Sequence, residues 1–103
     1  MAKRLSEIPY DLVSYIEIET EAIKDANDKQ MISSYCLSKL RNVEWYIQLL
    51  EAGSEQYIVP HSQYELESIR GQLRACHERI MATPIPSANR PIIDIKYPRG
   101  YEG

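Results

Sequence analysis

The chain has 103 residues, 44% of them apolar and 26% charged, with a net charge of −3. That size points to one domain, and the balance is ordinary for a globular protein. The acidic sum argues against nonspecific nucleic-acid binding, which needs a basic footprint.

In chain order, residues 1–7 are polar and read as a frayed end. Pro9 suits a first helical turn, where its missing N–H costs nothing. Ile8, Leu12, Tyr15, Ile16, Ala22, Ile23 and Ala26 then fall at helical spacing, which predicts a helix over 9–26. Ile16-Glu17-Ile18-Glu19 also alternates like a strand, but the helical pattern continues through Ala22 and Ala26. Asn27-Asp28 reads as the break, since either residue can cap a new helix. One helix running straight through is the alternative.

The second predicted helix, 28–52, carries Ile32, Cys36, Leu40, Val43, Ile47 and Leu50 in steps of three and four. Tyr35, Leu37, Tyr46 and Leu49 widen that stripe enough to contact two neighbours. Gly53 is placed to end the helix in a left-handed cap. Residues 53–60 read as a loop. Ser62 and Glu65 form a capping-box pattern at the start of a third helix, 62–82. Leu66, Ile69, Leu73, Cys76 and Ile80 follow as a heptad seam. These stripes predict a core of Leu12, Ile16, Ile23, Ile32, Cys36, Leu40, Val43, Ile47, Leu50, Leu66, Ile69, Leu73, Cys76 and Ile80.

At Pro84 the composition changes. Four of the six prolines lie beyond Thr83, at 84, 86, 91 and 98. Proline fixes φ and pushes the residue before it into extended geometry. Residues 84–103 are therefore predicted to form an extended arm, set apart from a helical body over 1–83. Twenty extended residues reach ~60 Å, against ~38 Å for the longest predicted helix. Within the arm, Ile92-Ile93-Asp94-Ile95-Lys96-Tyr97 reads as a strand, richer in branched residues than a disordered linker. Ile93, Ile95 and Tyr97 would share one face of it. The body carries 9 Lys+Arg against 13 Asp+Glu, a net of −4, and the arm 3 against 2, a net of +1.

Catalytic signatures are sparse. The four glycines are not grouped into a phosphate loop. Cys76-His77 are helix neighbours that point apart, which is wrong for a shared metal. Cys36 and Cys76 sit at core positions and are expected to be reduced, inert thiols; a bridge between them would require the two helices to face each other there. Glu17, Glu19 and Glu21 read as a solvated helix face. No enzyme activity, cofactor, metal or small-molecule substrate is expected. No segment is apolar enough to span a membrane, and a cytoplasmic protein is expected.

The eight tyrosines, with no phenylalanine, suit half-buried surfaces between chains. Trp45 lies off the main stripe, as a second contact face or an interface anchor.

The expectation is an all-α three-helix bundle with an extended proline-rich arm. It would act as a non-enzymatic assembly protein that forms a homo-oligomer and docks its arm on neighbouring subunits or on another assembly component. The arm residues expected to bind partners are Ile92, Ile93, Ile95, Tyr97 and Tyr101. A strand added to a partner's sheet edge is one mode of docking. Viral head–tail connectors (adaptors) and other virion components include modules of this build, which is a fold-level analogy. Two other classes fit less of the sequence. One is a small acidic inhibitor or regulator acting through Glu17 and Glu21. The other is a helix-turn-helix DNA-binding module using Arg70, Gln72 and Arg74.

Overall fold

The computed structural model of the chain describes residues 1–86. Three helices dominate: α1 (Leu12–Glu21), α2 (Ala26–Ala52) and α3 (Gln63–Ala82). Two two-residue strands, β1 (Lys3–Arg4) and β2 (Tyr57–Ile58), pair in parallel, Lys3 beside Tyr57 and Arg4 beside Ile58. The fold is the expected all-α three-helix bundle, with helices 1 and 2 separate. The arm beyond Pro86 lies outside the described residues.

Two boundaries differ from the sequence reading. A turn precedes α1, closed by the Leu12 N–H donating to the Pro9 carbonyl at 3.1 Å, so the helix starts three residues after Pro9. It also ends at Glu21, five residues short of the expected Ala26. The break falls before Asn27, because Asp25 takes an extended backbone and its carboxylate accepts the Asp28 N–H at 2.9 Å. Asp28 reaches back in turn to the Lys24 N–H at 3.0 Å. One donor that the helix start leaves unpaired is thus satisfied, and the residue before the cap is tied to the same turn.

At its far end α2 stops where expected. Gly53 adopts φ 64° and ψ 38°, and the N–H of Ser54 closes onto the Leu49 carbonyl at 3.0 Å. The Ser62 hydroxyl accepts the Glu65 N–H at 3.1 Å, which fixes the start of α3. The Glu65 carboxylate, which would complete a capping box, is bonded to His61 at 3.0 Å.

The core consists of Leu12, Ile16, Ile23, Ile32, Cys36, Val43, Tyr46, Ile47, Leu66, Leu73, Cys76 and Ile80. The expected members Leu40, Leu50 and Ile69 pack against it while half-buried. Each fully buried branched side chain contributes about 1.5–3 kcal/mol relative to exposure. Tyr46 joins this core because its hydroxyl has a partner, donating to the Ser6 carbonyl at 2.7 Å. Thr20 is buried too, with its hydroxyl bonded to the Ile16 carbonyl at 2.7 Å.

The N-terminal residues were expected to fray and do not. The Lys3 N–H donates to the Gln56 carbonyl at 2.9 Å and the Leu5 N–H to the Ile58 carbonyl at 3.0 Å. Leu5 and Ile8 pack against the core. The loop after α2 therefore includes a strand, held by the start of the chain.

Candidate functional site

Helix α1 lies beside α2 and α3 and leaves an open depression on each flank. Against α2 there is a groove of about 300 Å³, lined by Tyr15, Glu19, Asp28, Met31, Ile32 and Tyr35. Its apolar walls are open to solvent: Met31 is 64% exposed and Tyr15 48%. The Tyr15 and Tyr35 rings meet edge to face at 5.5 Å, and the Lys39 ammonium lies 5.3 Å from the Tyr35 ring. Such a cation over an aromatic face is attracted by the ring's quadrupole. Against α3 a second depression of about 520 Å³ is flanked by Tyr10 and Tyr64, both well exposed. Four tyrosines, Tyr10, Tyr15, Tyr35 and Tyr64, thus lie along the two flanks of α1.

Trp45 packs elsewhere. Its ring meets Tyr57 edge to face at 5.3 Å and tilts against Tyr46 at 5.8 Å. With 38% of its surface exposed, it packs on Tyr57 of β2 and stays partly open to solvent.

The groups with reactive chemistry do not converge. Cys36 and Cys76 are buried and free. Burial, then the neighbouring Cys76, pushes the Cys36 thiol up to about 11. Cys76 is raised chiefly by burial, then by Glu17, with Arg79 opposing. Both thiols therefore stay protonated and unreactive near neutrality. His77 bonds to the Ser33 hydroxyl at 3.3 Å, and His61 lies at the start of α3, facing the N-terminal segment. Among the described residues no group of three or more His, Cys, Asp or Glu is placed to hold a metal ion.

The three glutamates of α1 diverge. Glu17 and Glu21 lie on the α3 side, where Glu21 pairs with Arg79 at 3.3 Å, while Glu19 lines the groove toward α2. Arg74, one of the side chains weighed for reading a DNA groove, is bound to Glu44 at 3.0 Å, and Gln72 bonds to Ser68 at 3.1 Å. No helix of the described residues is long and apolar enough to cross a membrane.

Ile92, Ile93, Ile95, Tyr97 and Tyr101 lie outside the described residues. What the structure does give is the arm's point of departure. Lys29 on α2 donates to the carbonyls of Met81 at 3.1 Å and Thr83 at 2.8 Å. That places the end of α3 beside the start of α2, at the end of the bundle where Asp28 lines the groove. Sequence reasoning missed both the groove and the N-terminal strand. Tyr15, Met31 and Tyr35 sit within or beside apolar stripes and carry no mark that distinguishes a covered position from an open one. Compared with protein families, with curated proteins and with solved structures, the chain matches none.

Proposed function

We infer that the chain is a non-enzymatic assembly protein. It binds other protein chains, copies of itself among them, through the open apolar faces of its bundle and through its arm. The observation that carries this reading is the groove between α1 and α2, where Tyr15, Met31 and Tyr35 leave apolar surface open beside a rim of Glu19 and Asp28. Aromatic and methionine side chains are enriched at protein interfaces, and charge at their rims. The thiols, held protonated by burial, offer no nucleophile.

In this reading the arm starts beside that groove and carries Ile92, Ile93, Ile95, Tyr97 and Tyr101 to a neighbouring subunit or to another component of the assembly. A virion, with the chain as head–tail connector or another structural component, is a setting that suits such a module. Mass in solution tests the reading. Light scattering after size exclusion on the full chain should give a multimer that Met31→Glu with Tyr35→Ser shifts toward monomer. A chain ending at Thr83 should lose whatever part of the assembly the arm provides. A full chain that stays monomeric at every concentration would overturn self-assembly.

A further inference from the structure

The N-terminal segment is joined to α3 by one imidazole, and the direction of its two hydrogen bonds fixes the protonation state that holds it. The backbone N–H of Ile8 donates to His61 Nε2 at 2.8 Å. An N–H can only donate, so Nε2 is bare and accepts. The ring's single proton then sits on Nδ1, which donates to Glu65 Oε1 at 3.0 Å. The His61 side chain is 9% exposed, while Glu65 beside it is 55% exposed, so the side facing Ile8 is the one more shielded from water. In this arrangement the neutral ring satisfies both neighbours.

We propose that His61 is an acid-sensitive latch: its neutral form ties down residues 3–8, and its protonation releases them. A proton added to Nε2 turns the acceptor into a donor that faces another donor, the Ile8 N–H. A buried donor left without a partner costs about as much as the hydrogen bond it has lost. Glu65 remains a partner in either state, because Nδ1 carries a proton in both. Among the described residues Glu65 is the one acid within ion-pair range of His61. On the N-terminal segment, Glu7 is exposed and directed to Arg4 at 3.8 Å. On α2, the Tyr46 hydroxyl bonds to the Ser6 carbonyl and burial raises its pKa, so it stays protonated. The charged ring therefore keeps Glu65, and the partner it gives up is Ile8.

Release has a structural consequence. Further hydrogen bonds hold the segment, among them Lys3 to Gln56, Leu5 to Ile58, and Tyr46 to Ser6. Leu5 and Ile8 are its apolar contacts with the core. Freed at Ile8, the segment keeps its other bonds but opens from β2 more often. That opens the backbone edge of Tyr57–Ile58 and the apolar surface beneath Leu5. Imidazole is the side-chain type that gains a proton on mild acidification, so this access would rise as pH falls. The latch does not depend on the assembly reading above.

Amide hydrogen exchange on the full chain, expressed as protection factors to remove the intrinsic pH dependence, tests the proposal. Protection at Lys3, Leu5 and Ile8 should fall about tenfold or more from pH 8 to pH 5, the scale of one lost buried hydrogen bond, while protection in the middle of α3 stays level. His61→Gln, whose amide oxygen can still accept from Ile8, should abolish the fall. Level protection at Ile8 across the window would overturn the latch. So would an equal fall at Ile8 and in the middle of α3, a readout that stands even if the His61 variant fails to fold.

Discussion

Cys36 on α2 donates its thiol hydrogen to the backbone carbonyl of Leu73 on α3 at 3.4 Å, and both residues are fully withdrawn from solvent. The contact lies at the centre of the α2–α3 seam. Only the protonated thiol can make it. Burial raises the Cys36 pKa from an ordinary thiol's 9.0 to about 11, with Cys76 adding to the shift.

The sign of the resulting pH dependence follows from linkage. The folded state prefers the protonated thiol more strongly than the unfolded state does. Its contribution is therefore complete below the unfolded thiol's pKa of 9.0 and fades as pH rises toward about 11. Urea unfolding across that window should show the midpoint falling. Cys36→Ala should flatten part of the fall, the remainder belonging to Cys76 and Tyr46, which burial also raises. In native protein near neutrality, a thiol reagent should label both cysteines only at the rate of unfolding.

The two described glycines should respond to alanine with opposite signs. Neither would bring a new methyl into contact, since nothing lies within 4 Å of the position a Cβ would take. The difference is backbone. Gly53 sits at φ 64°, so Gly53→Ala should cost about 1 kcal/mol, and Gly53→Asn less. Gly71 is an exposed residue inside α3, where alanine's higher helix propensity should add about 0.5–1 kcal/mol of stability. Thermal melts of the two variants should move apart, by roughly 4–8 °C for each kcal/mol in a domain of this size.

How much of this was legible in the sequence depended on the range of the interaction concerned. The α3 seam was readable because Leu66, Leu73, Cys76 and Ile80 repeat on one helix face, and each is buried. Gly53 was readable because the left-handed cap is a local demand on the backbone. The N-terminal strand was not readable: Lys3 and Arg4 are a poor strand sequence, and what orders them is a partner more than fifty residues away. The same holds for His61, whose role is set by an N–H at a separation of 53 residues. The groove at Tyr15 and Tyr35 was hidden for a different reason. A helical stripe states which residues face inward, but α1 is only ten residues long and covers part of the broad face that α2 presents.

Lys29 should be worth more than an ordinary surface lysine. Its ammonium bonds to two carbonyls at the end of α3, where the helix leaves acceptors unpaired and carries partial negative charge. Lys29→Met keeps the aliphatic stem and removes the charge. It should destabilise the fold by about 1 kcal/mol, within the range for cations at helix C-termini. Amides in the last turn of α3 should lose protection before those in its middle. A melting temperature and last-turn protection equal to the parent would show that the carbonyls are served as well by water.

The break between α1 and α2 falls at Asp25, ahead of the Asn27-Asp28 pair that the sequence suggests. Asp25 accepts the Asp28 N–H and takes the extended backbone that stops α1 from running on. Asn27, one of the two residues expected to mark the break, lies inside the first turn of α2, and its exposed amide meets only the Met31 sulfur at 3.4 Å. Asp25→Ala removes the side-chain acceptor and should cost about 1 kcal/mol, with a range of roughly 0.5–2 for such caps. Asn27→Ala replaces a middling helix former with the best one and should be neutral or slightly stabilising. Paired urea titrations decide the matter. A loss confined to Asp25→Ala fixes the break where the structure has it. A larger loss at Asn27 would move the break two residues along the chain and shorten α2 to match.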